Sequence, residues 1–165
     1  MQTFLPDPKF TYAAAVLDRQ RLGKQRIEAF QILEALAGLR PNWKHHPAVI
    51  MWTGCEVTLA KYGIAICNEW ANRGYEDNMR ERFIDFMQDG LYQGQFQPGR
   101  NDGIPWWLGV NGFHLSHRSV LLRKNPEHYR QYWPDVPDTL EYTWPEPRDP
   151  IPFEPLRHLD WVSWD

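Results

Sequence analysis

The sequence predicts an all-α, compact single-domain helical fold that ends in an extended, Pro/Trp-rich C-terminal arm. Three observations carry this expectation. Long segments hold apolar residues at helical spacing, and Gly and Pro punctuate the stretches between them. Seven of the fourteen prolines fall from Pro134 onward, where neither a helix nor a central strand is feasible. A length of 165 residues supports one domain with a real core and is short for two.

The elements follow in chain order. Residues 1–10, with Pro6 and Pro8, read as an extended arm. A first helix is expected from about Thr11 to Leu39, ended by Gly38 and Pro41. On its wheel Leu22, Ala29, Leu33 and Leu36 form an apolar stripe, while Arg21, Lys24 and Glu28 lie opposite. A second, more buried helical region spans Lys44 to Gly74, with Pro47 suited to an early helical position. A shorter helix covers Asn78 to about Gln88, and Gly90 to Pro105 mark a long loop. A last helix runs from about Asn111 to Leu122, followed by a turn at Asn125-Pro126 and the aromatic string Glu127 to Trp133. Residues 1–133 thus form the helical body, and residues 134–165 an acidic arm packed on it through Trp144, Trp161 and Trp164.

Composition narrows the function classes. Twenty-four aromatics and 42% hydrophobic residues fit a globular chain, and the apolar runs are shorter than the roughly 20 residues of a membrane span. With no secretory signal pattern, a soluble, cytoplasmic, nucleoid-associated monomer is expected. Cys55 and Cys67 are expected as buried thiols. The net charge of −3 is unevenly divided: residues 1–44 carry +3, residues 45–133 balance, and residues 134–165 carry −6. Positive charge for phosphates is therefore available locally.

Candidate sites compete with ordinary explanations. Lys24 and Glu28 are spaced as a common i,i+4 surface pair. Gln20, Arg21, Gln25 and Gln31 give that face more hydrogen-bond donors than a merely solvated helix needs. His114 and His117 lie one turn apart, yet no matching Cys or acidic partner accompanies them, so neither a metal nor another cofactor is expected. His117, Arg118, Arg123, Lys124 and Arg130 interleave with Tyr129, Tyr132 and Trp133, a mixture suited to phosphates and bases and equally to a helix packing its rings on a core. The Ile104–Gly109 stretch with Trp106 and Trp107 is either a base-stack wedge or a core plug. No GxGxxG, Walker-type, GxSxG or HExxH pattern occurs.

Four segments taken in order, LDRQRLGKQRIEAFQIL from Leu17, HPAVIMWTG from His46, NEWANRGYE from Asn68 and SHRSVLLRKNPEHYRQYW from Ser116, carry a resemblance. Over roughly residues 1–133 the chain resembles the pyrimidine-dimer DNA glycosylase family (T4 endonuclease V-like), in its bacterial branch beginning MQTFLP. The resemblance implies a compact all-α DNA-repair enzyme that acts on damaged or modified pyrimidines in duplex DNA. In that family the N-terminal α-amino group attacks the sugar C1′, a glutamate on the first helix assists, and a Schiff base permits AP-lyase β-elimination. Matching positions make Glu28 the catalytic glutamate and the Met1 amine the nucleophile, because bulky Gln2 favours retention of Met1. Among substrate contacts, the resemblance places Arg118, Tyr129, Arg130, Tyr132 and Trp133; the polar face of the first helix adds Gln20, Arg21, Lys24 and Gln25, and the cationic patch adds His117, Arg123 and Lys124. Where the family flanks the glutamate with arginines, this chain has Ile27 and Gln31, and its acidic tail has no family counterpart. The same pocket would also suit an enzyme of free nucleosides, nucleotides or nucleotide-sugars, and the scaffold would suit a non-catalytic nucleic-acid-binding or protein-binding module.

Overall fold

In the computed structural model, which describes residues 1–88 and 103–146, all regular elements among the described residues are helical. They are α1 (Phe10–Val16), α2 (Arg19–Leu36), a 3-10 turn (Pro41–Trp43), α3 (Pro47–Ile50), α4 (Glu56–Asn72), α5 (Arg80–Gln88), α6 (Asn111–Lys124) and α7 (Pro126–Tyr129). None of these helices is long and apolar enough to cross a membrane.

The single first helix expected from Thr11 to Leu39 is two helices. Leu17 and Asp18 are extended, and Asp18 caps α2 by accepting a hydrogen bond from the Arg21 amide at 2.9 Å. The Asp18 amide, excluded from either helix, donates to the Tyr129 hydroxyl at 3.1 Å. Burial raises the Asp18 carboxyl, but the Arg21 amide and guanidinium outweigh it and hold the group below its ordinary value. The second helical region is also broken: the 3-10 turn and α3 precede α4, with Gly54 at φ 77° between them. The helix ends expected at Gly38 and Gly74 are present, both residues having positive φ (81° and 86°), the conformation that favours glycine there.

Helix α2 packs on α4, and α4 also carries α1 and α5. The core joins Leu22, Ala29, Phe30, Ile32 and Leu33 of α2 to Leu59, Tyr62 and Ile66 of α4, with Trp52 and Trp107 between elements. Leu22, Ala29 and Leu33 of the expected stripe are buried, and Leu36 is partly buried. The Ile104–Gly109 stretch is a core plug: Trp107 is buried, edge-on to Trp52 at 4.9 Å and tilted on Phe113 at 4.5 Å, and its indole N–H donates to the Met51 carbonyl. Cys55 and Cys67 are free and buried, their thiols pushed up chiefly by that burial.

Two segments without regular structure complete the body. Residues 1–9 form no helix, yet Thr3 to Pro6 are buried, so the expected arm is threaded into the core. Residues 134–146 cross the same end of the molecule, held by Arg123 Nη1 on the Asp138 and Leu140 carbonyls and by the Leu140 and Thr143 amides on Ser119 and Ser116. Trp144 docks edge-on to His46 at 6.1 Å. Trp161, Trp164 and most of the expected long loop lie outside the described residues.

Where α4 meets α5, a Cβ at Gly63 would overlap the Phe83 ring, whereas one at Gly112 would meet nothing within 4 Å. Gly63→Ala is expected to lower unfolding stability by about 1–3 kcal/mol in urea denaturation, while Gly112→Ala is neutral or stabilising by less than about 1 kcal/mol.

Candidate active site

A buried stretch of non-helical backbone must satisfy its N–H and C=O groups without a ladder. Residues 2–6 do so largely through side chains of the helical body and of Tyr142 in the C-terminal segment. The Gln2 amide donates to Glu28 Oε2 at 3.3 Å, and the Gln2 carbonyl accepts from Gln25 Nε2 at 2.9 Å. Thr3 Oγ1 accepts from the Trp52 indole at 3.1 Å, and the Thr3 carbonyl from the Tyr142 hydroxyl at 3.1 Å. The Phe4 amide donates to Gln25 Oε1 at 2.8 Å. The Tyr62 hydroxyl lies 2.6 Å from the same Oε1 and 2.9 Å from the Phe4 carbonyl. The Leu5 amide donates to His117 Nδ1 at 3.0 Å, the Leu5 carbonyl lies 2.7 Å from His114 Nδ1, and the Pro6 carbonyl accepts from Arg118 Nε at 2.7 Å.

Gln25 is the hub of this set. Its Oε1 receives the Phe4 amide and faces the Tyr62 hydroxyl; its Nε2 donates to the Gln2 carbonyl and, at 3.2 Å, to Glu28 Oε2. Gln25 therefore ties the chain start and Glu28 together, and the Glu28 carboxylate lies one peptide from the Met1 amine. Met1 and Glu28 are each partly buried.

The surroundings are aromatic and largely uncharged. Burial holds the Tyr62 and Tyr142 phenols protonated, and the Glu28 carboxylate adds to the effect at both. The His46 imidazole is pushed down by burial and then by the charge of the N-terminal amine. His114 donates from Nδ1 to the Leu5 carbonyl and accepts the Gly109 amide on Nε2 at 3.0 Å, which defines a neutral tautomer. His117 accepts on Nδ1, so its proton is on Nε2, a buried atom with no hydrogen-bond partner. Its ring packs between Phe113 and Tyr142 at 4.2 and 4.5 Å.

The residues selected from sequence divide into three groups. Met1, Gln25, Glu28 and His117 gather at the N-terminal segment. Arg118, Arg123, Lys124, Tyr129, Arg130 and Trp133 belong to α6, α7 and their exit, and the three arginines hold oxygens of their own chain. Arg118 also approaches Asp7 at 3.6 Å, and Arg130 holds the Val136 carbonyl at 2.9 Å and Asp138 at 3.4 Å. Tyr129 is buried and stacked on buried Trp133 at 5.7 Å, whereas Tyr132 and Lys124 are exposed. On the outer side of α2, Gln20 and Lys24 are exposed and border an open groove with Arg19, Arg26, Ile27 and Trp70. Arg21 is turned to Asp18 at 2.8 Å and to the Lys124 carbonyl.

Sequence reasoning passed over His46, Trp52, Tyr62 and Tyr142. His46 had a readable signal, since a residue before Pro47 at the start of a helix is a cap position; its Nδ1 accepts the Ala48 amide at 3.1 Å. The others are aromatic residues, Trp52 and Tyr62 in largely apolar stretches and Tyr142 in the polar C-terminal segment, and nothing local distinguishes an indole or phenol that bonds a distant segment from one that only packs. Among the described residues no group of three His, Cys, Asp or Glu could hold a metal ion.

The burial of His117 has a pH signature. Its folded-state value lies well below the ordinary 6.5, so the neutral ring is favoured on folding. The stability is fully present above that ordinary value and falls as pH drops below it, because the unfolded chain takes up the proton first. One such histidine costs roughly 1.4 kcal/mol at one pH unit below its unfolded value. His117→Asn, which keeps an acceptor for the Leu5 amide, is expected to show a shallower fall in Tm between pH 7.5 and 5.5 than the parent. An unchanged slope would count against the burial argument.

Residues 1–82, about half of the chain, match the family model described as pyrimidine dimer DNA glycosylase. No curated protein and no solved structure matches the chain. The matched span holds Met1, Gln25, Glu28, His46, Trp52 and Tyr62, while His114, His117, Arg118 and Tyr142 lie beyond it.

Proposed function

Because the chain belongs to the pyrimidine dimer DNA glycosylase family through residues 1–82, we propose that it excises damaged or modified pyrimidines from duplex DNA, with Glu28 as the catalytic carboxylate and the Met1 amine as nucleophile. The observation that supports this most is the Gln2 amide's hydrogen bond to Glu28 at 3.3 Å, which sets carboxylate and chain start side by side.

The chemistry fits these two groups. α-Amino groups are less basic than lysine by roughly 2.4 units, so more of the free base is present at neutral pH. The amine lone pair attacks C1′ as the bond from C1′ to the base breaks; the base leaves with the electron pair and takes a proton. The nitrogen then drives out the ring oxygen O4′, which is protonated, and an iminium links Met1 to the sugar. Glu28 stabilises the positive charge at C1′ and carries the proton from nitrogen to O4′. For the lyase step, a base removes a C2′ proton, the C3′–O bond breaks with its electrons on the 3′ phosphate, and water later releases the amine. Gln25 is a positioning residue in this scheme, since it touches Glu28 and the Gln2 carbonyl.

Phosphate contacts are assigned first to Lys24, Gln20 and Lys124, which are exposed. Arg21, Arg118, Arg123 and Arg130 supply charge nearby while their hydrogen bonds hold the chain. That prior engagement favours a second reading, in which the same carboxylate and amine act on a free nucleoside or nucleotide needing fewer phosphate contacts.

Borohydride trapping on UV-irradiated and abasic duplexes separates the readings. The glycosylase–lyase yields a covalent protein–DNA adduct, and blocking the N-terminal amine abolishes it; intact mass identifies the residue bearing that amine. Glu28→Gln is expected to bind duplex but to lose about 100-fold or more in turnover. Full activity in that variant would remove Glu28 from the mechanism. Neither an adduct nor salt-dependent DNA binding would leave the free-nucleotide reading.

A further inference from the structure

Most tryptophans of the described chain are buried or largely so, but Trp43 and Trp144 keep 39% and 40% of their surface exposed. They come from different elements and meet at one imidazole. Trp43 ends the 3-10 turn and lies 5.6 Å from His46, tilted by 42°; Trp144 lies 6.1 Å from His46 at 87°. Neither ring is needed to close the core, whose large aromatic members are Trp52, Trp107, Tyr62 and Tyr129.

This cluster adjoins the chain start. Trp144 is 4.5 Å from the Tyr142 ring, and the Tyr142 hydroxyl bonds the Thr3 carbonyl, two residues from the amine. The amine is also near enough to His46 for its charge to disfavour the imidazolium. With Nδ1 occupied by the Ala48 amide, the neutral His46 ring carries its proton on Nε2, a donor suited to a base carbonyl or ring nitrogen.

We propose that Trp43, His46 and Trp144 form a stacking subsite that receives an unpaired nucleobase beside the Met1–Glu28 pair. This rests on the glycosylase reading, in which a nucleotide must leave the stack before its C1′ can be reached. Flat, half-exposed rings recover part of the stacking lost on extrusion, and they do so for any base because every base has a π-face. The imidazole N–H adds one directional contact. Trp144 lies outside the span matched by the family model, so the C-terminal segment contributes to a site whose reacting groups are N-terminal.

The test uses binding alone. Glu28→Gln protein is titrated with two duplexes that carry a tetrahydrofuran residue at one position and differ only opposite it, where one holds an unpaired thymine and the other a second tetrahydrofuran residue lacking any base. The subsite predicts about tenfold tighter binding of the thymine duplex. Adding Trp43→Ala or Trp144→Ala should erase most of that preference, Trp144→Phe should restore much of it, and affinity for the duplex lacking that thymine should stay within about twofold, which also reports an intact fold. A preference unaltered by both alanine variants, or no preference in the parent, overturns the subsite while a borohydride adduct would leave the glycosylase standing. No binding of either duplex by the parent overturns both.

Discussion

Burying the first residues of the chain without a helix or a sheet places the heaviest constraint on this molecule. Each amide and carbonyl from Gln2 to Pro6 would cost free energy if left without a partner in the interior. Gln25 answers for a large share of that demand with one side-chain amide, whose oxygen and nitrogen serve Phe4, Gln2 and Glu28. Further backbone groups are met by Tyr62 on α4, His114, His117 and Arg118 on α6, and Tyr142 of the C-terminal segment, while the Trp52 indole before α4 holds the Thr3 side-chain hydroxyl. The body is thus assembled around a short segment of its own chain. Glu28, one turn after Gln25 on α2, is carried to the chain start by the same arrangement.

This assembly also engages residues that look functional in isolation. Buried His117 is a neutral acceptor for the Leu5 amide, and Arg118, Arg123 and Arg130 spend hydrogen bonds on carbonyls of their own chain. The cationic and aromatic string toward the end of the body therefore secures both the N-terminal segment and the segment that crosses it. The selected residues that stay exposed include Gln20 and Lys24 on the outer side of α2, and Lys124 and Tyr132; the rings of Trp43 and Trp144 around His46 are half-exposed as well.

How legible this was in the sequence depends on the range of each interaction. Helical periodicity exposed α4, α5 and α6, and Gly38 and Gly74 marked true helix ends because their φ values need glycine. The break before α2 was missed, although Asp18 is a typical N-cap and the four polar residues Asp18 to Arg21 interrupt the apolar pattern there. Glu28 and Gln25 stood out as polar residues on one helix, but their roles differ for a reason spacing does not carry. Gln25 is buried by a segment more than twenty positions away, and Glu28 is only partly covered. Tyr142 reaches Thr3 across 139 positions, a pairing that no local pattern encodes.

The central claim is that the chain start is locked in place, and amide hydrogen exchange reads it directly. The Phe4 and Leu5 amides, bonded to Gln25 and His117, should exchange as slowly as amides in the middle of α4, reporting an opening free energy close to that of global unfolding. Gln25→Leu should release them to fast exchange while α4 stays protected. Rapid exchange of both amides in the unaltered protein would contradict the account.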